Sequence, residues 1–135
     1  MLVLTSCDKT PINGPLDGMW QLMSVETPAG VVDTKAEHTY ISFQLHTSQW
    51  NHANYRLYSA FQHSGDSLFF DRFRHLSLHR TAADDDEPVT TVELADGLMA
   101  AWGIHTTSAR FRVVRLTNEH LTLNRADTTL VLRKF

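Results

Sequence analysis

Histidine is the residue type whose number and spacing in this chain most strongly suggest chemistry. There are eight histidines among 135 residues, and His75 and His79 have the spacing that binds zinc when it lies on one face of a helix. The residues between them, Leu76-Ser77-Leu78, alternate as in a β-strand. On a strand the two imidazoles would lie ~13 Å apart, at ~3.3 Å per residue. The pattern therefore favours solvent-facing histidines and no metal site.

A second group of histidines falls in a segment predicted to be one hairpin loop. His46, Trp50 and His52 lie in this loop, and His63 begins the next predicted turn. Facing loops would bring these imidazoles together at one mouth of a barrel. A metal site at such a mouth therefore stays open as an alternative.

The acidic residues show no arrangement typical of catalysis. Asp66, Asp71 and Glu119 have no nucleophile–base spacing relative to the histidines. The chain also lacks the sequence motifs of phosphate-binding loops, serine hydrolases and zinc proteases. We therefore expect neither an enzyme nor a cofactor.

Cys7 is the only cysteine, and its surroundings indicate a modification. The residues Leu4-Thr5-Ser6-Cys7 resemble a bacterial lipobox, in which the cysteine is acylated. A polar, turn-rich tether follows, with Pro11 and Pro15. We expect residues 1–7 to be the remnant of a lipoprotein signal and residues 8–16 the tether of a domain spanning 17–135. The alternative is an ordinary N-terminus with a free thiol, because a full signal needs a basic region and ~7–15 apolar residues before the cleavage site.

Composition and charge restrict the class of protein. The chain is 42% hydrophobic and 20% charged, with a net charge of −3, as expected for one globular domain with its own core. Its basic residues are scattered, so no nucleic-acid partner is expected. No apolar run approaches the ~20 residues of a membrane-spanning helix, which leaves acylated Cys7 as the expected membrane contact.

Short runs of alternating apolar and polar residues fill most of the chain and predict eight strands. They cover Met19–Val25, Thr39–His46, Tyr55–Gln62, Leu68–Phe70, His75–His79, Ala109–Leu116, Leu121–Asn124 and Thr129–Phe135. This spacing indicates an all-β sandwich or barrel. Closure into an up-and-down antiparallel barrel of about eight strands would remove both exposed sheet edges.

One segment has helical rather than strand periodicity. Apolar residues recur at helical spacing from Val92 to Trp102, Thr90 and Glu93 have the spacing of a capping box, and Gly103 stands where a helix would end. We therefore expect one helix before the last three strands.

The expected inward face of the barrel is almost entirely apolar. It comprises Trp20, Leu22, Ile41, Phe43, Leu45, Tyr55, Leu57, Phe61, Leu68, Phe70, Leu76, Leu78, Phe111, Val113, Leu121, Leu123, Leu130 and Leu132. Because eight strands leave room for side chains or for one small ligand, the larger residues are candidates for lining a pocket. These candidates are Trp20, Phe43, Tyr55, Leu57, Phe61, Phe70 and Phe111, with Trp102 on the helix covering one end.

The order of these features resembles the lipocalin-like lipoproteins of Bacteroidetes. Gly18-Met19-Trp20, preceded by Pro15-Leu16-Asp17, is similar to the G-x-W entry of lipocalins, and Thr129–Phe135 is similar to a last barrel strand. The resemblance implies a short helical turn that plugs one end of the barrel, with Trp20 packed beneath it. It also implies a cation over that indole, for which Arg133 is the candidate.

Two functions follow from this interpretation. The first is a protein anchored by lipid in the cell envelope, at the outer membrane or cell surface, whose barrel binds a small apolar molecule or peptide. The second is a barrel filled by its own aromatic side chains that acts through its surface, as an interaction or inhibitor module. The sequence identifies no protein partner.

A cysteine substitution tests the expected anchor. The protein expressed with a complete upstream signal should incorporate labelled palmitate and fractionate with membranes, whereas Cys7→Ser should do neither. Stable attachment needs more than one acyl chain, which lipoprotein acylation supplies at one cysteine. Unchanged membrane fractionation of Cys7→Ser would contradict the lipobox interpretation.

Overall fold

The computed structural model describes residues 12–52, 55–76 and 87–135. These residues form nine strands: β1 (Gly18–Thr27), β2 (Gly30–Asp33), β3 (Tyr40–Gln44), β4 (Thr47–His52), β5 (Tyr55–Ser64), β6 (Ser67–His75), β7 (Ser108–Leu116), β8 (His120–Arg125) and β9 (Thr128–Lys134). They also form one short helix, α1 (Thr91–Ala95), and turns of 3₁₀-helix at Gly14–Leu16, Lys35–Glu37 and Ala100–Trp102. The predicted signal remnant, including Cys7, lies outside the described residues.

The strands form one antiparallel sheet that closes on itself. Their order is β2-β1-β3-β4-β5-β6-β7-β8-β9, and β1 also pairs with β9. This pairing closes a barrel of eight strands, while β2 forms an additional hairpin with β1. The predicted all-β barrel is confirmed. The additional strand β2 is not predicted from the sequence because all four of its residues are exposed, so no alternation of burial marks it.

Trp20 and Lys134 build one end of the barrel, which we call the plugged end. The indole Nε1 of Trp20 donates a hydrogen bond of 2.8 Å to the Leu16 carbonyl, in the 3₁₀ turn that precedes β1. Lys134 Nζ lies 4.6 Å from the centre of the Trp20 ring. The same ammonium donates to the carbonyls of Pro15, at 3.1 Å, and Asp17, at 2.6 Å. The turn, the indole and the last strand are therefore held together at one point.

The expectation that Arg133 covers this indole is wrong. Trp20 is the cross-strand partner of Lys134, whereas Arg133 is opposite Gln21. Side chains alternate between the two faces of a strand, so Arg133 lies on the outer face, which its parity already indicated. Gly18 is needed beside this contact, because its φ is +117° and a Cβ there would lie 3.1 Å from Lys134 Nζ.

The predicted strand Thr39–His46 and the loop after it are corrected by the structure. β3 ends at Gln44, the chain turns at Leu45, whose φ is +57°, and β4 returns antiparallel to β3. Leu45, expected inside, is 55% exposed, whereas Trp50, expected in a loop, is 1% exposed. The sequence of β4 is mostly polar, so it shows no apolar alternation that would predict a strand.

The inward polar residues of β4 are satisfied by neighbours in the core. The hydroxyls of Ser48 and Ser59 lie 2.6 Å apart, and Trp50 Nε1 donates to both, at 2.9 and 3.1 Å. Buried polar groups are tolerated when they are hydrogen-bonded in this way. Serine therefore serves as a core residue here, although its type predicts exposure.

The segment between β5 and β7 also differs in part from the prediction. The strand predicted over Leu68–Phe70 extends to His75. Leu76 is half-buried just after β6, and the remainder of the predicted strand His75–His79, including Leu78, lies outside the described residues. Arg72, with φ +57°, interrupts the alternation. Phe73 is consequently buried as well as Phe70.

The predicted helix from Val92 to Trp102 is shorter than expected. The capping box is confirmed, because the Thr90 hydroxyl accepts from Glu93 N while the Glu93 carboxylate accepts from Thr90 N. α1 ends at Ala95, and Gly97 has a φ of +98°, which is incompatible with a continuing right-handed helix. The chain then forms the 3₁₀ turn at Ala100–Trp102, and Gly103 terminates it as predicted.

The burial of Trp50 leads to a stability prediction. Trp50→Ala and Trp20→Ala should each lower the free energy of unfolding by about 3–5 kcal/mol, because both remove a fully buried indole. Val92→Ala, at a side chain that is 67% exposed, is the control and should change stability by less than about 0.5 kcal/mol. Chemical denaturation measures all three. A Trp50→Ala protein as stable as the control would contradict the assignment of β4.

Candidate ligand-binding site

All eight pocket candidates lie among the described residues, but they differ in how far their side chains are buried. Seven are between 0 and 4% exposed: Trp20, Phe43, Leu57, Phe61, Phe70, Trp102 and Phe111. Tyr55 is only partly buried and packs against that core. The structure therefore brings the candidates into one interior, with Tyr55 at its margin.

The middle of this interior is filled by aromatic rings. Phe43 packs edge-on against Phe61 with ring centres 5.1 Å apart, and Phe70 lies 6.0 Å from both Phe43 and Phe111. Trp50 packs edge-on against Phe70 at 4.8 Å. Such edge-to-face pairs stabilise a core beyond their buried area. The candidates in this cluster are thus in contact with one another.

The end of the barrel opposite the plugged end is closed by residues 87–104, which we call the cover segment. Leu94, Met99, Trp102 and Ile104 from this segment are at most 1% exposed. The Trp102 and Trp50 rings meet edge-on with centres 4.9 Å apart. The cover segment is therefore part of the core. Trp102 lies at this end of the barrel, but in the 3₁₀ turn Ala100–Trp102 and not on the helix as predicted.

Polar contacts hold the cover segment to the strands around it. Val89 N donates 2.8 Å to the Phe73 carbonyl, and Arg125 Nη1 donates 2.9 Å to the Gly103 carbonyl. His75 Nε2 and Glu93 Oε2 are 2.8 Å apart. The pKa of Glu93 lies below its usual value, mainly because its carboxylate accepts from the Thr90 backbone and also because it faces His75.

Two buried polar atoms near the cover segment have no hydrogen-bond partner among the described residues. They are the Tyr55 hydroxyl and Trp102 Nε1. Burial raises the pKa of Tyr55 to about 12, and the nearby Trp102 indole offsets part of this rise. The indole N–H is close enough to the Tyr55 oxygen to lower its pKa, but the contact falls short of full hydrogen-bond geometry. Both can donate, so one oxygen atom of a bound molecule placed between them would satisfy both.

The histidines expected to share a loop are separated by β4. His46 lies in the turn before β4, and His52 ends that strand, with its Nδ1 2.7 Å from the Thr39 hydroxyl. Between them the Trp50 side chain points into the core. In the described part of the chain, no three histidine, cysteine, aspartate or glutamate side chains are grouped to hold a metal ion. None of the helices described there has the length and hydropathy to cross a membrane.

A cleft on the outside of the barrel was not expected from the sequence. We call it the outer cleft; its volume is about 680 Å³ and it is lined by Gln21, Asp33, Lys35, Ala36, His38, Tyr40 and Phe135. Gln21 is nearly buried in its floor and donates 3.0 Å to the Lys35 carbonyl. The lining residues come from β1, the end of β2, the β2–β3 connection, the start of β3 and the residue after β9, so no local sequence pattern connects them.

Comparisons with known proteins agree with this architecture. A family model described as a lipocalin-like domain matches residues 2–135. The crystal structure of a lipocalin-like protein from Bacteroides uniformis is similar, with a TM-score of 0.62, 16% identity, and coverage of 90% of this chain and 100% of that one. An uncharacterized protein from Bacteroides eggerthii also has a TM-score of 0.62, with 22% identity and coverage of 89% and 99%. No curated protein matches the chain.

The unpartnered Tyr55 hydroxyl leads to a prediction about stability without ligand. Tyr55→Phe should leave stability unchanged or raise it by up to about 1–3 kcal/mol, because it removes a buried polar group that makes no hydrogen bond. Tyr55 has a higher pKa in the folded state than the ordinary value of 10.0. The wild type should therefore lose stability as the pH rises from 10 towards 12, and Tyr55→Phe should lose less.

Denaturation at several alkaline pH values measures this difference, and Tyr40→Phe, at a partly exposed tyrosine, is the control. A marked loss of stability in Tyr55→Phe at neutral pH would show that the hydroxyl has a partner.

Proposed function

This chain belongs to the family of lipocalin-like domains, and on that basis we propose that its barrel binds one small, largely apolar molecule that carries an oxygen acceptor. The observation that carries the proposal is the pair of buried, unpartnered groups, the Tyr55 hydroxyl and Trp102 Nε1. A buried donor without an acceptor costs about 1–3 kcal/mol. A ligand oxygen recovers that energy at two donors, which provides both affinity and orientation.

The apolar surroundings of these two groups define the rest of the ligand. Leu57 and Trp50 are cross-strand partners next to this end of the barrel and are fully buried. Because aromatic rings fill the middle of the barrel, the ligand is small and lies at the margin of the interior, beside Tyr55 and Trp102. Entry then requires the cover segment to move, against the contacts made by Val89, Glu93 and Arg125.

We also propose that the protein is held at the cell envelope by acylated Cys7. Residues near the start of the described chain support an anchor on the plugged side: Asn13 Nδ2 donates 2.9 Å to the Leu45 carbonyl, in the turn between β3 and β4. A tether that leaves from this end directs the cover segment away from the membrane. Ligand exchange at the cover segment would therefore be unobstructed by the bilayer.

The second function, a filled barrel that acts through its surface, is favoured by a different observation. Ring contacts join Phe43, Phe61, Phe70, Trp50 and Trp102 into one chain; the Phe43–Phe70 pair is tilted and the others are edge-on. If no molecule binds beside Tyr55 and Trp102, these contacts leave the exterior as the working surface. The two functions differ in whether an apolar molecule binds inside.

A matched pair of probes tests the interior site. 2-Acetylnaphthalene carries a ketone oxygen, whereas 2-isopropenylnaphthalene has nearly the same shape without it. The wild type should bind the ketone about threefold to tenfold more tightly, since one net hydrogen bond contributes about 0.5–1.5 kcal/mol. Tyr55→Phe and Trp102→Phe should each reduce this preference, and Tyr40→Phe should preserve it. Quenching of tryptophan fluorescence measures binding to the proteins that retain the same tryptophans, and calorimetry measures Trp102→Phe.

Narrowing the site provides an independent arm of the same experiment. Leu57→Trp should weaken both probes equally; because overpacking a core costs about 1–3 kcal/mol, its folding is checked by denaturation. Failure of the folded wild type to bind either probe would reject the proposed interior site. Native mass spectrometry can also be applied to protein isolated from cells. If it detects no bound small molecule, that result supports the surface function.

A further inference from the structure

We propose that the outer cleft is a second ligand site, separate from the barrel interior, for a small molecule that combines a flat apolar ring with a carboxylate. The cleft and the interior lie on opposite faces of β1, because Gln21 forms the floor of the cleft while its neighbours Trp20 and Leu22 are buried in the core. Occupation of one site is therefore sterically independent of occupation of the other.

Two aromatic residues supply a surface for the ring. Phe135 is 72% exposed, yet it is held edge-on against Tyr40 with ring centres 4.9 Å apart and an angle of 67°. The backbone amide of Phe135 donates 2.9 Å to the Met19 carbonyl, which fixes the start of this side chain. A flat ring placed on this pair gains the offset or edge-on contacts that aromatic rings prefer.

The charged groups around the cleft favour an anion. Within the described part of the chain, Lys35 and Arg133 form no ion pair. Arg133 borders the cleft as the cross-strand partner of Gln21. The one acid that lines the cleft, Asp33, accepts 2.9 Å from the Lys35 backbone amide through Oδ1. Among the residues that line the cleft, Lys35 is therefore a cation without an ion pair, and the single carboxylate, Asp33, is already hydrogen-bonded.

A third donor stands beside the aromatic pair. His38 Nδ1 lies 3.3 Å from the Tyr40 hydroxyl, and the backbone of His38 is fixed in a left-handed conformation with φ +54°. His38 lines the cleft together with Lys35. Charge-assisted hydrogen bonds to a carboxylate are stronger than neutral ones, so these groups select an acid over an alcohol. The cleft volume of about 680 Å³ falls within the ~300–1,000 Å³ usual for small-molecule sites.

The test uses 2-naphthoate with neutral 2-naphthalenemethanol as its matched probe, and amide NMR shifts as the readout. 2-Naphthoate should bind more tightly than the alcohol and shift the amides of residues 33–40 and of Phe135. Lys35→Gln should weaken 2-naphthoate about threefold, as expected for one exposed ion pair, and leave the alcohol unchanged. Phe135→Ala should weaken both probes about tenfold through the loss of apolar contact.

Two control variants separate this site from general charge effects and from the interior site. Arg115→Gln removes an exposed charge elsewhere on the outer surface, and Tyr55→Phe alters the interior; in both variants 2-naphthoate should shift the amides of residues 33–40 and of Phe135 at the same concentrations as in the wild type. Equal affinity for acid and alcohol, equal loss in Lys35→Gln and Arg115→Gln, or shifts confined to interior amides would each overturn the proposal. So would the absence of any shift at 10 mM 2-naphthoate, a concentration chosen to be about tenfold above a millimolar Kd.

Discussion

The pairing of β1 with β9 is the constraint on which the other features of this protein depend. It places Trp20 opposite Lys134 and Gln21 opposite Arg133, so one ladder determines which residues face inward and which outward. A register shift of one residue would exchange these two faces. The hydrogen bonds of Lys134 Nζ to the carbonyls of Pro15 and Asp17 make such a shift costly, because they fix the last strand to the turn that plugs the barrel.

The two indole groups at the cover end show how the same core treats buried polar atoms differently. Trp50 Nε1 has two serine hydroxyls as acceptors, whereas Trp102 Nε1 has no acceptor among the described residues. The rings are only 4.9 Å apart, so both share one apolar environment. A polar group that serves stability is expected to be satisfied within the protein. This contrast is the physical reason to assign Trp50 to the fold and to propose Trp102 as a binding residue.

The alternation of apolar and polar residues predicts most strands of the barrel. It fails where a polar residue is buried or where every residue of a strand is exposed. β1, β5, β7, β8 and β9 follow the apolar pattern because their inward residues are large and hydrophobic. β4 does not, since Ser48 is buried through a partner on β5 that only the folded chain supplies. β2 is not predicted either, because it is a strand through its pairing with β1 and its residues show no alternation of burial.

The candidate site was predictable in its residues but not in its chemistry. Tyr55 and Trp102 were identified from their apolar neighbours and their size. Their lack of hydrogen-bond partners depends on distances between β5 and the cover segment, which lie far apart in sequence. The outer cleft was unpredictable for the same reason, since Lys35, Tyr40 and Phe135 are assembled by the closure of the barrel.

Ligand binding inside this barrel would be coupled to the packing of its cover segment. α1 has five residues, too few to be stable as an isolated helix. Its position therefore depends on the burial of Leu94, Met99 and Trp102, and on the contact of Glu93 with His75. Trp102 contributes to this burial and also presents the unpartnered N–H to the proposed ligand. A molecule that accepts a hydrogen bond from this N–H would consequently stabilise the closed position of the cover segment. Without a bound molecule, the buried donor of Trp102 has no acceptor and destabilises the same closed position.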